Sequence, residues 1–111
     1  MNMTPVEVFK AMNGDAVNVR ECEGLVIRPV AFHTHTYESQ DGKEHTVLVI
    51  KNGKDGKLYK TEVQAFIKKF VAYDEAFGTV SDDEKPEIAV ALIMSKKGNK
   101  YVTFEVIDAA D

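Results

Sequence analysis

The sequence has no tryptophan, a single cysteine and only three prolines among its 111 residues. One cysteine, Cys22, excludes an internal disulfide; that suits a reducing compartment, the cytoplasm, and leaves packing to hold the fold. Cys22 itself reads as a buried free thiol. No apolar run approaches the roughly 18–20 residues of a membrane helix. The longest, Ile88-Ala89-Val90-Ala91-Leu92-Ile93-Met94, has the length of a buried strand. The N-terminus has no basic stretch followed by an apolar one, so no leader peptide is expected. The glycines stand singly in turn-like settings, without a phosphate-binding loop or a nucleophile elbow. Neither enzyme activity nor a cofactor is expected. With 44% hydrophobic and 29% charged residues, what remains is one ordinary globular domain, large enough for a modest core of its own.

Thr4-Pro5-Val6-Glu7 carries the marks of a capped helix start: a threonine that can cap, a proline suited to the first turn and a glutamate three residues on. Phe9 and Met12 would supply its apolar edge and Asn13-Gly14 its stop, giving a helical appendage over residues 1–14. Residues 17–37 are rich in β-branched and aromatic types and read as one long, bent or broken strand, with Gly24 a bend and Pro29 a bulge or edge position. Asp41-Gly42 marks a tight hairpin, His45–Lys51 a second strand, Asn52-Gly53-Lys54-Asp55-Gly56 a second turn, and Lys57–Lys60 a short third strand. Thr61 with Gln64 reads as another capping box. Val63, Phe66, Ile67, Phe70 and Val71 then recur at helical spacing, and the helix should end before Gly78. A polar, acidic loop over 79–86 leads to strands Glu87–Met94 and Lys100–Ile107, joined by Ser95-Lys96-Lys97-Gly98-Asn99. In the last strand Val102, Phe104 and Val106 would point inward, and Tyr101, Thr103 and Glu105 outward. Three strands, a helix and two strands is the order of the OB fold. The expected fold is therefore mainly β: a five-stranded OB-like barrel (β-β-β-α-β-β) over residues 15–108, with the short N-terminal helix before it and an acidic tail, 109–111, after it.

The net charge is −4, which by itself argues against a nucleic-acid partner. Its distribution argues the other way. From Lys43 to Lys69 there are seven lysines against three acids, and from Asp74 to Glu87 six acids against one lysine. The tyrosines lie among the lysines. Tyr37 ends the first strand with Lys43 across the turn, Tyr59 lies between Lys57 and Lys60, and Tyr101 follows Lys100 and the Lys96-Lys97 turn. Basic grooves interleaved with aromatic faces are how single-strand binders hold a backbone and stack bases. The candidate nucleic-acid-binding residues are therefore Tyr37, Lys43, Lys51, Lys57, Tyr59, Lys60, Lys96, Lys97, Lys100 and Tyr101. His33 and His35 share one face of a strand, and His45 lies on the partner strand. Three imidazoles can hold zinc, but no further ligand is offered at a suitable spacing and a one-residue slip of register would part the rings. No metal site is expected.

The run Lys43-Glu44-His45-Thr46-Val47, followed by Asp55-Gly56-Lys57-Leu58-Tyr59, resembles the central hairpin of the phi29-type phage single-stranded DNA-binding proteins. The amphipathic helix that follows, and Ser95-Lys96-Lys97-Gly98-Asn99 before a final strand, match in order and spacing, so that the resemblance spans roughly residues 13–107. It implies a replication-accessory protein of the host cytoplasm that coats displaced single-stranded DNA without sequence preference, with replication proteins as further candidate partners. By position Tyr37 and Tyr59 match the tyrosines that meet DNA in that family. The helix Thr4–Met12 and the acidic loop 79–84 depart from it. The alternatives are a non-catalytic phage module that engages a host protein through the acidic loop, and a hydrolase or metal protein built on the histidines.

Overall fold

The computed structural model describes residues 4–11, 14, 16–78, 85–94 and 96–107. Met12, Asn13, most of the acidic loop (79–84), Ser95 and the tail from Asp108 lie outside the described residues. The fold is mainly β, with two sheets. In chain order its elements are α1 (Pro5–Lys10), β1 (Ala16–Asn18), a 3-10 turn (Val19–Glu21), β2 (Val26–Ile27), β3 (Pro29–Glu38), β4 (Glu44–Asn52), β5 (Leu58–Thr61), α2 (Gln64–Phe77), β6 (Glu87–Met94) and β7 (Lys100–Ile107). One sheet runs β1-β5-β4-β3, the other β2-β6-β7. Among the described residues no helix is long and apolar enough to cross a membrane.

Of the two forms expected over 17–37, a bent or a broken strand, the broken one is found, in three pieces. Asn18 starts the break, because its Oδ1 accepts the Arg20 N–H at 3.0 Å and turns the chain into the 3-10 segment. Gly24 completes it with φ +85°, a conformation that side chains resist, while its N–H reaches Val90 O at 2.8 Å. The fragment before the break, β1, becomes a parallel neighbour of β5, Val17 opposite Tyr59. The fragment after it serves both sheets. β2 pairs antiparallel with β6, Ile27 opposite Ile88, and two residues later β3 pairs with β4. The register shifts between Pro29 and Ala31, a bulge at the residue that lacks an N–H to give the ladder. Asn52 ties this junction from beneath. Its buried Oδ1 accepts from the Arg28 and Lys54 N–H groups, both at 3.0 Å.

β3, β4 and β5 form a meander, followed by α2, β6 and β7. α2 buries Phe66, Ile67, Phe70 and Tyr73. These rings meet Phe104 of β7 and Phe32 of β3: Phe66 and Phe104 lie 4.8 Å apart, Phe32 and Phe70 5.2 Å, both edge to face. Val19, Ile27, Leu48, Ile50, Tyr59, Ile88, Val90 and Val102 complete this core.

Five local expectations are corrected. α2 starts at Gln64, because Thr61 is still paired with Leu48 as the last residue of β5; its hydroxyl nonetheless accepts the Val63 N–H at 3.1 Å. Gln64 donates to Glu62 O and closes no capping box. Val71 is exposed and Tyr73 takes its place on the inner face. Val106 is exposed as well. Alternation tells which side of β7 it takes, not how far along the strand that side is covered. The capping box of α1 forms as expected, Thr4 Oγ1 accepting from the Glu7 N–H at 3.2 Å and Glu7 Oε1 from the Thr4 N–H at 3.1 Å. Its buried edge, however, is Val8 and Ala11, and Phe9 is exposed.

Candidate functional site

Strand alternation gives the meander two faces. The inner one enters the core. On the outer one Ala31, His33, His35 and Tyr37 of β3 stand opposite Lys51, Val49, Val47 and His45 of β4, and Lys60 of β5 stands opposite Val49. α1 covers one end of this outer face. Val8 and Ala11 pack with Ala16, Ala31, Val47, Val49 and Leu58 into a second, small core. Glu7 clamps the helix down, its Oε2 lying 2.6 Å from Lys51 Nζ. That Lys51 bond, with the Thr4 backbone bond, holds the Glu7 carboxyl below its usual range.

The other end of the face is open and carries a row of rings. His33 and His35 lie 6.4 Å apart centre to centre with planes 21° apart, His35 and Tyr37 6.4 Å and 17°, Tyr37 and His45 5.3 Å and 21°. The two 6.4 Å spacings follow from the two-residue repeat of a strand. They are close to twice the ~3.4 Å rise of stacked bases, so adjacent rings offer planar slots and stacking faces. The sequence shows the histidine spacing and suggests no metal site, but it does not show that the rings form a row. The structure strings His33, His35 and Tyr37 along β3 and sets His45 across from Tyr37 on β4, and no three His, Cys, Asp or Glu side chains converge on one point among the described residues.

Beside the row lies a groove of about 320 Å³, lined by Ala11, His35, Tyr37, Val47, Lys60 and Glu62. Glu62 Oε1 accepts from the Tyr37 hydroxyl at 2.9 Å and lies 3.8 Å from His45 Nδ1. The hydrogen bond to Glu62 raises the Tyr37 phenol above its ordinary range. A second recess, about 260 Å³, lies on the other side of Glu62 and is lined by Asn18, Arg20, Thr61 and Val63 as well. Arg20 reaches on to the second sheet, its Nη2 donating to Lys100 O at 3.3 Å. Arg20 and Glu62 are charged residues of the site that sequence reasoning missed. Neither belongs to a lysine–tyrosine cluster, and the 3-10 turn that aims Arg20 was hidden inside an expected strand.

The residues expected to bind nucleic acid divide. Tyr37 and Lys60 meet at the groove. Lys43 lies in the β3–β4 turn next to the ring row, exposed, its N–H given to Asp41 Oδ1 at 3.2 Å. Lys51 is on the same face but held by Glu7. Lys57 is exposed at the far end of β5. Lys96, Lys97, Lys100 and Tyr101 are exposed on the other sheet, Tyr101 opposite Ile93. Tyr59 does not belong to the set. It faces inward opposite Ile50, is 4% exposed, and its hydroxyl donates to Asp55 Oδ2 at 2.5 Å. Cys22, expected to be buried, is half-buried against the core, its thiol 3.6 Å from Asn18 O and pushed up in pKa by burial. No protein-family model, curated protein or solved structure matches the chain, so its chemistry has to be read from these side chains.

Proposed function

We propose that the chain is a non-catalytic single-stranded DNA-binding protein of phage type, an OB-like barrel that coats single strands during DNA replication in the host cytoplasm. The observation that carries this reading is the row His33–His35–Tyr37–His45, four near-parallel rings on the open face of a β meander. Stacking on such a row accepts any base, because every base has a π-face. The topology supports it. A three-strand meander, a helix and a closing hairpin share the element order of the OB fold, in which the face of the second and third strands binds oligonucleotides; counted from β3, those strands would be β4 and β5. Lys43 and Lys60 on this face, and Arg20 and Lys100 beyond Glu62, supply cations for the backbone.

The test is a titration with oligo-dT at two salt concentrations, read by tyrosine emission. Quenching on binding, with affinity falling as salt rises by about 0.7 of a decade per decade for each phosphate contact, is the expected result. No binding at low salt overturns the reading.

A further inference from the structure

Glu62 is out of place on a surface meant for a polyanion. It forms the wall shared by the two recesses, so a strand that leaves the ring row towards Arg20 has to pass it. Its carboxylate repels phosphate, so a backbone cannot run over it. A carboxylate is also an acceptor with room for several donors; Oε1 takes the Tyr37 hydroxyl, and acceptor capacity remains. The one kind of nucleic-acid group it attracts is an N–H on a base edge. Cytosine offers an exocyclic amino group with two N–H donors at its 4-position, where thymine offers a carbonyl oxygen that the carboxylate repels, leaving thymine a single N3–H flanked by two carbonyl oxygens.

We propose that Glu62 reads the amino edge of a base stacked on Tyr37 and its neighbouring imidazoles, so that this face prefers cytosine to thymine over a background of sequence-tolerant binding. The proposal rests on the single-strand reading above. It also orients the strand. Bases lie towards the rings and Glu62, while the backbone follows Lys60 and Lys43 on one side and Arg20 on the other.

Oligo-dC and oligo-dT of equal length, titrated near neutral to mildly alkaline pH and low salt, test it. The unmodified protein should bind oligo-dC about fivefold more tightly, the lower end of what one base-specific contact supplies. Glu62→Gln offers an amide that serves either base and should bring the ratio to one, without weakening oligo-dT. Glu105→Gln removes an exposed charge on β7 of the other sheet and should leave the ratio as it is. Equal affinities in the unmodified protein, a ratio that survives Glu62→Gln, or a ratio that Glu105→Gln abolishes equally would each overturn the assignment while leaving single-strand binding intact. Failure to bind either oligonucleotide removes the underlying reading and the assignment with it.

Discussion

The two faces of the β3–β4–β5 meander hold their rings on opposite terms. On the inner face Phe32 packs on Phe70, Leu48 and Ile50 are fully buried, and Tyr59 is buried with its hydroxyl given to Asp55. On the outer face Tyr37 is 40% exposed and shares a row with three imidazoles, its hydroxyl held by the half-exposed Glu62. Both tyrosines were expected to work with nearby lysines, Tyr37 with Lys43 across the turn and Tyr59 between Lys57 and Lys60. Register separates them: Tyr37 stands opposite His45, and Tyr59 opposite Ile50. A neighbouring lysine says nothing about which side of a pleat a ring takes.

Truncating each ring breaks the comparison most directly. Tyr59→Ala empties a site in the core and should cost about 3–5 kcal/mol of unfolding free energy, the range for large aromatic truncations. Tyr37→Ala should leave the melting temperature near that of the unmodified protein and weaken oligo-dT about tenfold or more, the loss of one stacked base. Denaturant unfolding and fluorescence titration of both variants decide it. The comparison fails if Tyr37→Ala melts like a core variant, or if Tyr59→Ala, once folded, has lost affinity while Tyr37→Ala has not.

Alkali sharpens the same contrast. Burial, with the Asp55 hydrogen bond and charge adding to it, pushes the Tyr59 phenol up to about 12. In the unfolded chain a tyrosine ionises near 10. The folded state therefore retains a proton that the unfolded state loses, so the stabilisation is complete below about pH 10 and disappears as the pH rises through about 12. Two units correspond to about 2–3 kcal/mol. Urea unfolding of the unmodified protein should show this loss across that window, and Tyr59→Phe, which has no phenol to ionise, should show much less of it. Equal alkaline slopes in the two proteins would place the titrating group elsewhere.

Much of this molecule was legible wherever the signal is local. The Asp-Gly pairs marked the hairpin turns, since Gly42 and Gly56 take positive φ values there. The strands Glu87–Met94 and Lys100–Ile107 begin and end where alternation and turn chemistry put them. The missed features depend on partners distant in sequence. β1 exists because it meets β5 some forty residues on, and nothing within Ala16–Asn18 says so. Thr61 looked like a helix cap because its type and spacing fit, but the ladder to Leu48 held it in the strand. The ring row was half visible: the His-x-His-x-Tyr spacing places three rings on one side of β3, but His45 joins them only through a register that spacing cannot supply. The groove needed α1, which docks through Val8 and Ala11 while Phe9, expected on its apolar edge, is exposed.

The smallest expected effect concerns the covered end of the outer face. Glu7 and Lys51 form a surface ion pair, and such pairs contribute only about 0–1 kcal/mol. The Glu7 carboxyl is held below its usual range first by the Lys51 bond and then by the Thr4 backbone. Its contribution is therefore present above the ordinary glutamate pKa and lost as the pH falls through the lowered value. Glu7→Gln should barely move the melting temperature at neutral pH. Its consequence lies in binding, because Lys51 stands on the ring-bearing face with its charge matched by a carboxylate where a phosphate would otherwise sit. Freed from Glu7, Lys51 gains one phosphate contact, and the slope of log affinity against log salt should steepen by about 0.7. In a Lys51→Gln background the same Glu7→Gln change should leave the slope untouched, which separates release of this lysine from the mere loss of a negative charge. A slope that steepens equally in both backgrounds would show that α1 lies beside the bound strand without competing for it.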